Sequence, residues 1–244
     1  MKITKGWIFT FILIGLFIAL ISNMDLWRIM LESIFPELKN VIYPRASLLK
    51  LVGEHMLLVS ISSGLSIIIG VSLGILVTRR FGEQFSDLVN SLATLGQTFP
   101  PVAVLMLAVP MFGFGAEPTI FALFLYGLLP VLRNTISGLE GVSKQLLQAA
   151  TGMGMNGVQC LVMVELPLAM RVIIAGIRTS VVINVGTAAV GATIGAGGLG
   201  SPIVSGLVNQ NTAFILEGAI PAALLAFILD RIFGQIEASF YKKQ

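Results

Sequence analysis

The sequence predicts an all-α, polytopic membrane protein, and three observations carry that prediction. Hydrophobic residues make up 56% of the 244-residue chain and charged residues only 11%, whereas a soluble domain carries about a quarter charged residues. The mean hydropathy is +0.94. The apolar residues come in long continuous runs, not in the short alternating stretches of a β-barrel. Hydrocarbon offers the backbone no hydrogen bonds, so such a chain spans as helices.

A bilayer core of about 30 Å takes roughly 20 apolar helical residues to cross. Six stretches are the candidates, Trp7–Ile21, Met56–Val77, Leu92–Phe112, Pro118–Ile136, Val172–Ala196 and Ala213–Phe233, and four of the five connections are too short for a soluble domain. The first stretch follows Lys2 and Lys5, as a signal peptide would. Its end, Ala19–Asn23, lacks a small-x-small cleavage site, so a retained helix is expected. With the N-terminus inside, Lys2, Lys5, Arg79, Arg80, Arg133, Lys144, Arg171, Arg178, Arg231, Lys242 and Lys243 fall on or near the cytoplasmic side. The opposite side receives Arg28, Lys39, Arg45 and Lys50, balanced by Asp25, Glu32, Glu37 and Glu54. Both termini are therefore expected in the cytoplasm. The chain divides into residues 1–54, a helix with an extracytoplasmic segment, and 55–244, a core of five spans with a loop at about 137–171.

The second span carries Ser62, Ser66, Gly70 and Gly74 at steps of four, a small-residue face for close helix packing. The third is interrupted by Pro100-Pro101 and Pro110, and the fifth by Gly186, Gly191 and Gly195. Interrupted spans are tolerated where protein or a wet cavity surrounds the freed carbonyls. Thr98, Asn184 and Thr187 are accordingly candidates to line a path, with hydrogen bonding between helices as the competing role. Phe99, Phe124 and Tyr126 are the aromatic candidates near that path for cation–π attraction, with lipid-facing or packing roles as the ordinary reading.

The connection Ser137–Arg171 is amphipathic. Leu139, Val142, Leu146, Ala149, Ala150 and Met153 recur at helical intervals, so short surface helices with one apolar face could dock a soluble partner. Within it, Gln148-Ala149-Ala150 is followed after three residues by Gly154, and after nine more by Val164-Glu165-Leu166-Pro167. This spacing resembles the cytoplasmic loop signature of ABC importer permeases, Glu-Ala-Ala-x3-Gly-x9-Ile-x-Leu-Pro, with Gln148 in place of the acid and Val164 in place of Ile. Gly96–Ala103, Gly127–Thr135 and Gly191–Gly200 are similar to permeases for glycine betaine, choline, carnitine and related osmoprotectants, and Phe99-Pro100-Pro101 most resembles the branch that pairs two different permease chains.

The resemblance implies a type I ABC importer permease fold in the bacterial inner membrane. It also implies two separate ABC ATPase subunits, an extracytoplasmic solute-binding protein and a second permease chain, either a related one or a second copy. Gln148, Ala149, Ala150, Gly154, Met155, Leu166 and Pro167 would form the ATPase-coupling loop, in which Gly154 permits a turn and Pro167 ends the surface element. Thr98, Phe99, Pro100, Pro101, Asn184 and Thr187 would line the solute path, and no cofactor is implied.

Gly195, Gly197, Gly198 and Gly200 fit a Gly-x-Gly-x-x-Gly pattern, but a dinucleotide site needs a strand before it and a helix after it in a soluble unit. A flexible turn, a candidate outer gate, is the better reading. No Walker sequence occurs, so energy comes from a partner or from an ion gradient. An ion-driven secondary transporter is the alternative, and it would use intramembrane acids; Glu217 and Asp230 lie near span ends, where anchoring is the ordinary role. No catalytic constellation argues for an enzyme. One cysteine, Cys160, and one histidine, His55, leave no metal cluster within the chain. Cys160 reads as a small apolar filler and His55 as a helix-start residue. The net charge of +3 is scattered over short connections, which excludes a nucleic-acid stripe.

Overall fold

The computed structural model describes residues 2–80 and 82–241, and among these there are helices and no strands. Lys242 and Lys243 lie outside the described residues, as do the side chains of Lys2 and Lys5. Eleven α-helices follow in order: α1 Lys2–Ser22, α2 Met24–Ile34, α3 Leu48–Val77, α4 Ser86–Thr98, α5 Pro101–Phe112, α6 Ala116–Glu140, α7 Lys144–Gly152, α8 Gly157–Cys160, α9 Leu166–Ala188, α10 Gly200–Val208 and α11 Thr212–Tyr241. Among the described residues four helical runs are long and apolar enough to cross a membrane: Leu48–Val77, Ala116–Glu140, Gly157–Ile194 and Thr212–Phe240. A fifth is gained if Gly6–Ser22 and Met24–Ile34, bent by 79°, count as one span.

The bundle buries small polar side chains within an otherwise apolar core and turns large apolar ones outward. Ser62, Ser66, Thr135, Ser180 and Asn184 are fully buried, while Phe11, Leu16, Ile68 and Leu107 are each more than 60% exposed. That arrangement suits a lipid solvent, where small and polar residues join helices and large apolar ones meet acyl chains. The small-residue face of α3 does what its spacing predicted. A Cβ on Gly70 would sit 2.9 Å from Val131, and one on Gly74 would sit 2.6 Å from Thr135, so both glycines let α6 close in. Gly138 and Gly176 do the same between α6 and α9. α11 packs on α9, α1 lies on α11, and α4 and α5 flank α6.

Several boundaries differ from expectation, each for a local reason. α3 begins at Leu48, not Met56, because Ser47 caps it, its hydroxyl accepting the Lys50 N–H. His55 therefore lies inside the helix, fully buried, with Nε2 2.9 Å from the Val185 carbonyl. The division at residue 54 falls within this continuous helix. The third span is split: a residue before proline is pushed to extended backbone, so α4 stops at Thr98, Phe99 takes ψ 141°, and Pro101 starts α5. The connection 137–171 is shorter than its pattern suggested. Residues through Glu140 belong to α6, and from Gly157 the chain runs through α8, a π-helical turn Leu161–Glu165 and α9 without interruption. Pro167 therefore does not end a surface element; it stands in the first turn of α9, directly after the π-helical turn that joins α9 to α8. Glu217, in the second turn of α11, is fully buried against the rest of the protein. Its Oε2 accepts the Tyr43 N–H at 2.7 Å, tying the segment after α2 to α11.

Candidate coupling loop and solute path

α7 protrudes as a nine-residue helix between two long ones. Gln148 and Ala149 are exposed, whereas Ala150 is buried on the inner side. Its C-terminus closes with two crossed bonds: the Met155 N–H to the Ala150 carbonyl at 3.2 Å and the Gly154 N–H to the Thr151 carbonyl at 2.9 Å. This Schellman arrangement needs a left-handed residue, and Gly154 supplies it at φ +87°. No atom lies within 4 Å of the place a Gly154 Cβ would take, so the requirement is for a backbone conformation and not for space. Asn156 then caps α8 through a reciprocal pair with Gln159, which fixes how the loop re-enters the bundle. Leu146 is 50% exposed and Met153 75%, an uncovered apolar edge beside Gln148 and Ala149. Cys160 is buried, its sulfur 3.9 Å from the Met155 carbonyl, as a filler would be. Leu166 is half-buried and Pro167 exposed, both outside the loop proper.

The base of the loop is held by an ion pair that the loop signature did not indicate, and a second pair joins α9 to α11. Arg79, just past α3, grips both oxygens of Glu165: one N–H reaches Oε1 at 2.9 Å and the other donates to Oε2. That hydrogen-bonded carboxylate raises the Arg79 guanidinium above its ordinary range, so the cation is permanent. Arg178 on α9 forms a second fork, to Asp230 of α11 at 2.7 and 2.8 Å, and reaches Glu237 at 3.3 Å. Asp230 is thus a partner of arginine between two helices.

The break between α4 and α5 is fastened to α6, and Pro130 explains how. Proline has no N–H, so the Tyr126 carbonyl one turn earlier loses its helical donor. Gln97 provides the substitute, its Nε2 donating to that carbonyl at 2.6 Å. In return the Tyr126 hydroxyl donates to the Phe99 carbonyl at the break. A proline in one span therefore implied a side-chain donor on a neighbour, a signal present in the sequence and not exploited. Thr98 is exposed, and its hydroxyl donates within its own helix to the Thr94 carbonyl at 2.9 Å. Phe99 lines an apolar groove of about 300 Å³ with Leu92, Leu95, Leu107 and Met111. Phe124 lines a second, with Ile69, Leu73 and Leu128, of about 380 Å³.

Asn184 lies elsewhere, buried where α3, α6 and α9 meet. Its Nδ2 donates to Ser63 Oγ at 2.9 Å, with Ser62 Oγ at 3.4 Å. Gly127 makes this node possible, since a Cβ there would stand 2.6 Å from Ser180 Oγ and 2.7 Å from Ser66 Oγ. The Asn184 bonds join α9 to α3, and Thr187, one turn on, is half-buried. Thr98 and Asn184 belong to separate contact sets.

At the opposite end of α9 from the loop, the helix tightens into a 3-10 segment, Ala189–Ile194, before the glycine turn. Gly195, Gly197 and Gly198 all have positive φ. The Gly198 N–H donates to Glu54 Oε2 at 2.9 Å, and Gly200 starts α10 against the Ala189 carbonyl. No strand precedes the turn, which removes the dinucleotide reading. A polar hollow of about 420 Å³ lies beside it, lined by Tyr43, Arg45, Gly195, Gly197, Ser201 and Asn209.

A small-residue bundle with a protruding nine-residue helix has clear counterparts. The family model described as a binding-protein-dependent transport system inner membrane component matches residues 66–240. The chain belongs to this family. It is 46% identical over 171 residues to the glycine betaine/carnitine/choline transport system permease protein OpuCD of Bacillus subtilis, covering 70% of this chain and 74% of that one. The osmoprotectant import permease protein OsmY of Salmonella typhimurium is 38% identical over 215 residues, 88% of each chain. Among solved structures the fold matches the MetNI methionine ABC transporter with a TM-score of 0.72 and 20% identity, covering 79% of this chain and 95% of that one. The chain is thus a multi-pass inner-membrane permease of the ABC importer class, and the ion-gradient alternative gives way. Its relatives are transport permeases, not enzymes.

Proposed function

We propose that this chain is one transmembrane half of an ATP-driven importer for osmoprotectants such as glycine betaine or related quaternary amines. The observation that carries the proposal is the α7 turn: Gln148-Ala149-Ala150 and Gly154 lie on a protruding, partly uncovered helix in a chain whose family matches over residues 66–240. An ABC ATPase subunit receives Gln148, Ala149 and the exposed Leu146 and Met153, and the Schellman turn at Gly154 sets their presentation. Leu166 and Pro167 begin the span that carries the movement inward. Both termini are cytoplasmic in this reading, and an extracytoplasmic binding protein delivers solute at the glycine turn, where Gly195, Gly197, Gly198 and Gly200 act as an outer gate. A second permease chain, related or identical, completes the path beside Thr98, Phe99, Pro100 and Pro101. Asn184 contributes by holding α9 in register with α3, and Thr187 stands one turn further along α9 beside the path.

ATP binding closes the ATPase pair, the α7 helices move with it, and the cavity between permeases turns outward; hydrolysis returns it. Solute shifts this equilibrium only through unequal affinity for the two states, which assigns tight binding to the external protein and a weak path to this chain. The test is purification of the complex in detergent, identification of its subunits, and measurement of ATP hydrolysis with glycine betaine, carnitine and choline. An ATPase subunit and solute-stimulated hydrolysis are expected. Uphill uptake by the chain alone, driven by a proton gradient, would overturn the reading.

A further inference from the structure

Arg79 stands where three elements meet. It follows Thr78, the residue that caps the C-terminus of α3, and its own carbonyl accepts the N–H groups of Gly82 at 2.8 Å and Glu83 at 2.9 Å ahead of α4. Its side chain reaches 86 residues along the chain to Glu165, which is 6% exposed and ends the π-helical turn between α8 and α9. A guanidinium–carboxylate fork fixes orientation as well as distance, which a single contact does not. A π-turn changes the phase of the helix by one residue, and such turns are frequent at functional sites. Here the phase change falls at the residues that aim Glu165 at α3.

Hydrogen-bonded structure continues in both directions from this fork. Toward the loop, the Met155 N–H joins α7 through the Ala150 carbonyl, and the Asn156–Gln159 cap joins α8. Toward the path, α4 runs from Ser86 to Thr98 and ends at the break whose Phe99 carbonyl is held by Tyr126. A buried ion pair is weak evidence for stability, since apolar replacement of both partners is often neutral. Its placement between a docking loop and a broken helix calls for a different account.

We propose that Arg79 and Glu165 are positioning residues that convert displacement of α7 into displacement of α4 and of the Phe99-Pro100 break. The proposal rests on the coupling role given to α7 above. Displacement of the loop pulls on Glu165, the fork carries the pull to Arg79, and the hydrogen bonds of the Arg79 carbonyl to the Gly82 and Glu83 N–H groups pass it to α4. A loop without the fork still binds its ATPase but moves α9 alone.

The experiment uses the complete complex with its ATPase and binding protein, reconstituted in liposomes, and glycine betaine, carnitine and choline as probes. Arg79→Lys keeps the charge and removes the fork; Glu165→Gln keeps the shape and removes the charge. Both complexes are expected to assemble and to retain solute-independent hydrolysis, while solute-stimulated hydrolysis and uptake fall by about tenfold. The exchanged pair, Arg79→Glu with Glu165→Arg, is expected to regain stimulation. Full stimulation in the assembled single variants would overturn the proposal, as would an assembled exchange variant without stimulation. Failure of all three to assemble would also overturn it, by showing that the pair serves folding alone. Failure of the α7 reading is distinguishable, because the unmutated complex would then lack the ATPase or show no stimulation.

Discussion

Replacing Gly154 tests the loop most directly, because the structure separates its two explanations. A residue with a Cβ at φ +87° pays about 1–2 kcal/mol for the left-handed backbone. Steric conflict adds nothing, since the Cβ position is open to 4 Å. α7 has only nine residues and cannot absorb the loss by itself, because isolated helices below about 12 residues are marginal. The Schellman turn should therefore open in Gly154→Ala and Gly154→Val, lowering the population of the docking-ready loop by roughly 5–30-fold. Asparagine tolerates the left-handed region better than other side chains, so Gly154→Asn should retain most activity despite its larger volume. Titration of purified ATPase subunit against the permease in detergent gives the affinity, and thermal unfolding monitors the bundle, which should hold its midpoint because no span touches Gly154. The reasoning fails if Asn is as damaging as Val, which would mean that space and not backbone geometry governs the site, or if Val binds ATPase like the native chain.

Substitutions at three further positions probe the bundle. Gly127→Ala should lower thermal stability by about 1–3 kcal/mol through overpacking, because its methyl would meet Ser180 and Ser66 at less than 3 Å; an unchanged melting curve would mean the node relaxes freely. Asn184→Leu should cost roughly 0.6–2 kcal/mol, the range for hydrogen bonds between membrane helices, and uptake that falls in proportion to folded protein would identify a packing residue and not a path residue. Glu217→Gln keeps an acceptor for the Tyr43 N–H and should be nearly silent, whereas Glu217→Ala leaves that buried donor unmet at about 1–3 kcal/mol; equal effects of the two would show that the acceptor does not matter.

Composition and run length were enough to determine a helical membrane protein, because hydrocarbon permits few alternatives to a hydrogen-bonded helix. Periodicity determined the face of α3 that meets α6, since side chains four apart share one side whatever they pack against. Phe99-Pro100-Pro101 determined a break, although reading the flanking runs as one span hid it. The α7 turn was legible because a left-handed C-terminal residue selects glycine locally.

Tertiary structure decided the rest. That α9 runs on from α8 through Pro167 depends on the π-turn and on Arg79 holding Glu165, a partner 86 residues away. Whether Asn184 faces a path or a serine cluster depends on how three helices rotate about one another, and a single sequence carries no record of that rotation. Glu217 lies near the start of α11, as hydropathy along the chain indicates, but its carboxylate is engaged by the Tyr43 N–H, a partner 174 residues away that hydropathy does not register. Local chemistry wrote the helices, the break and the loop into the sequence; contacts between distant residues, which no window of neighbours contains, decided which polar groups were shared.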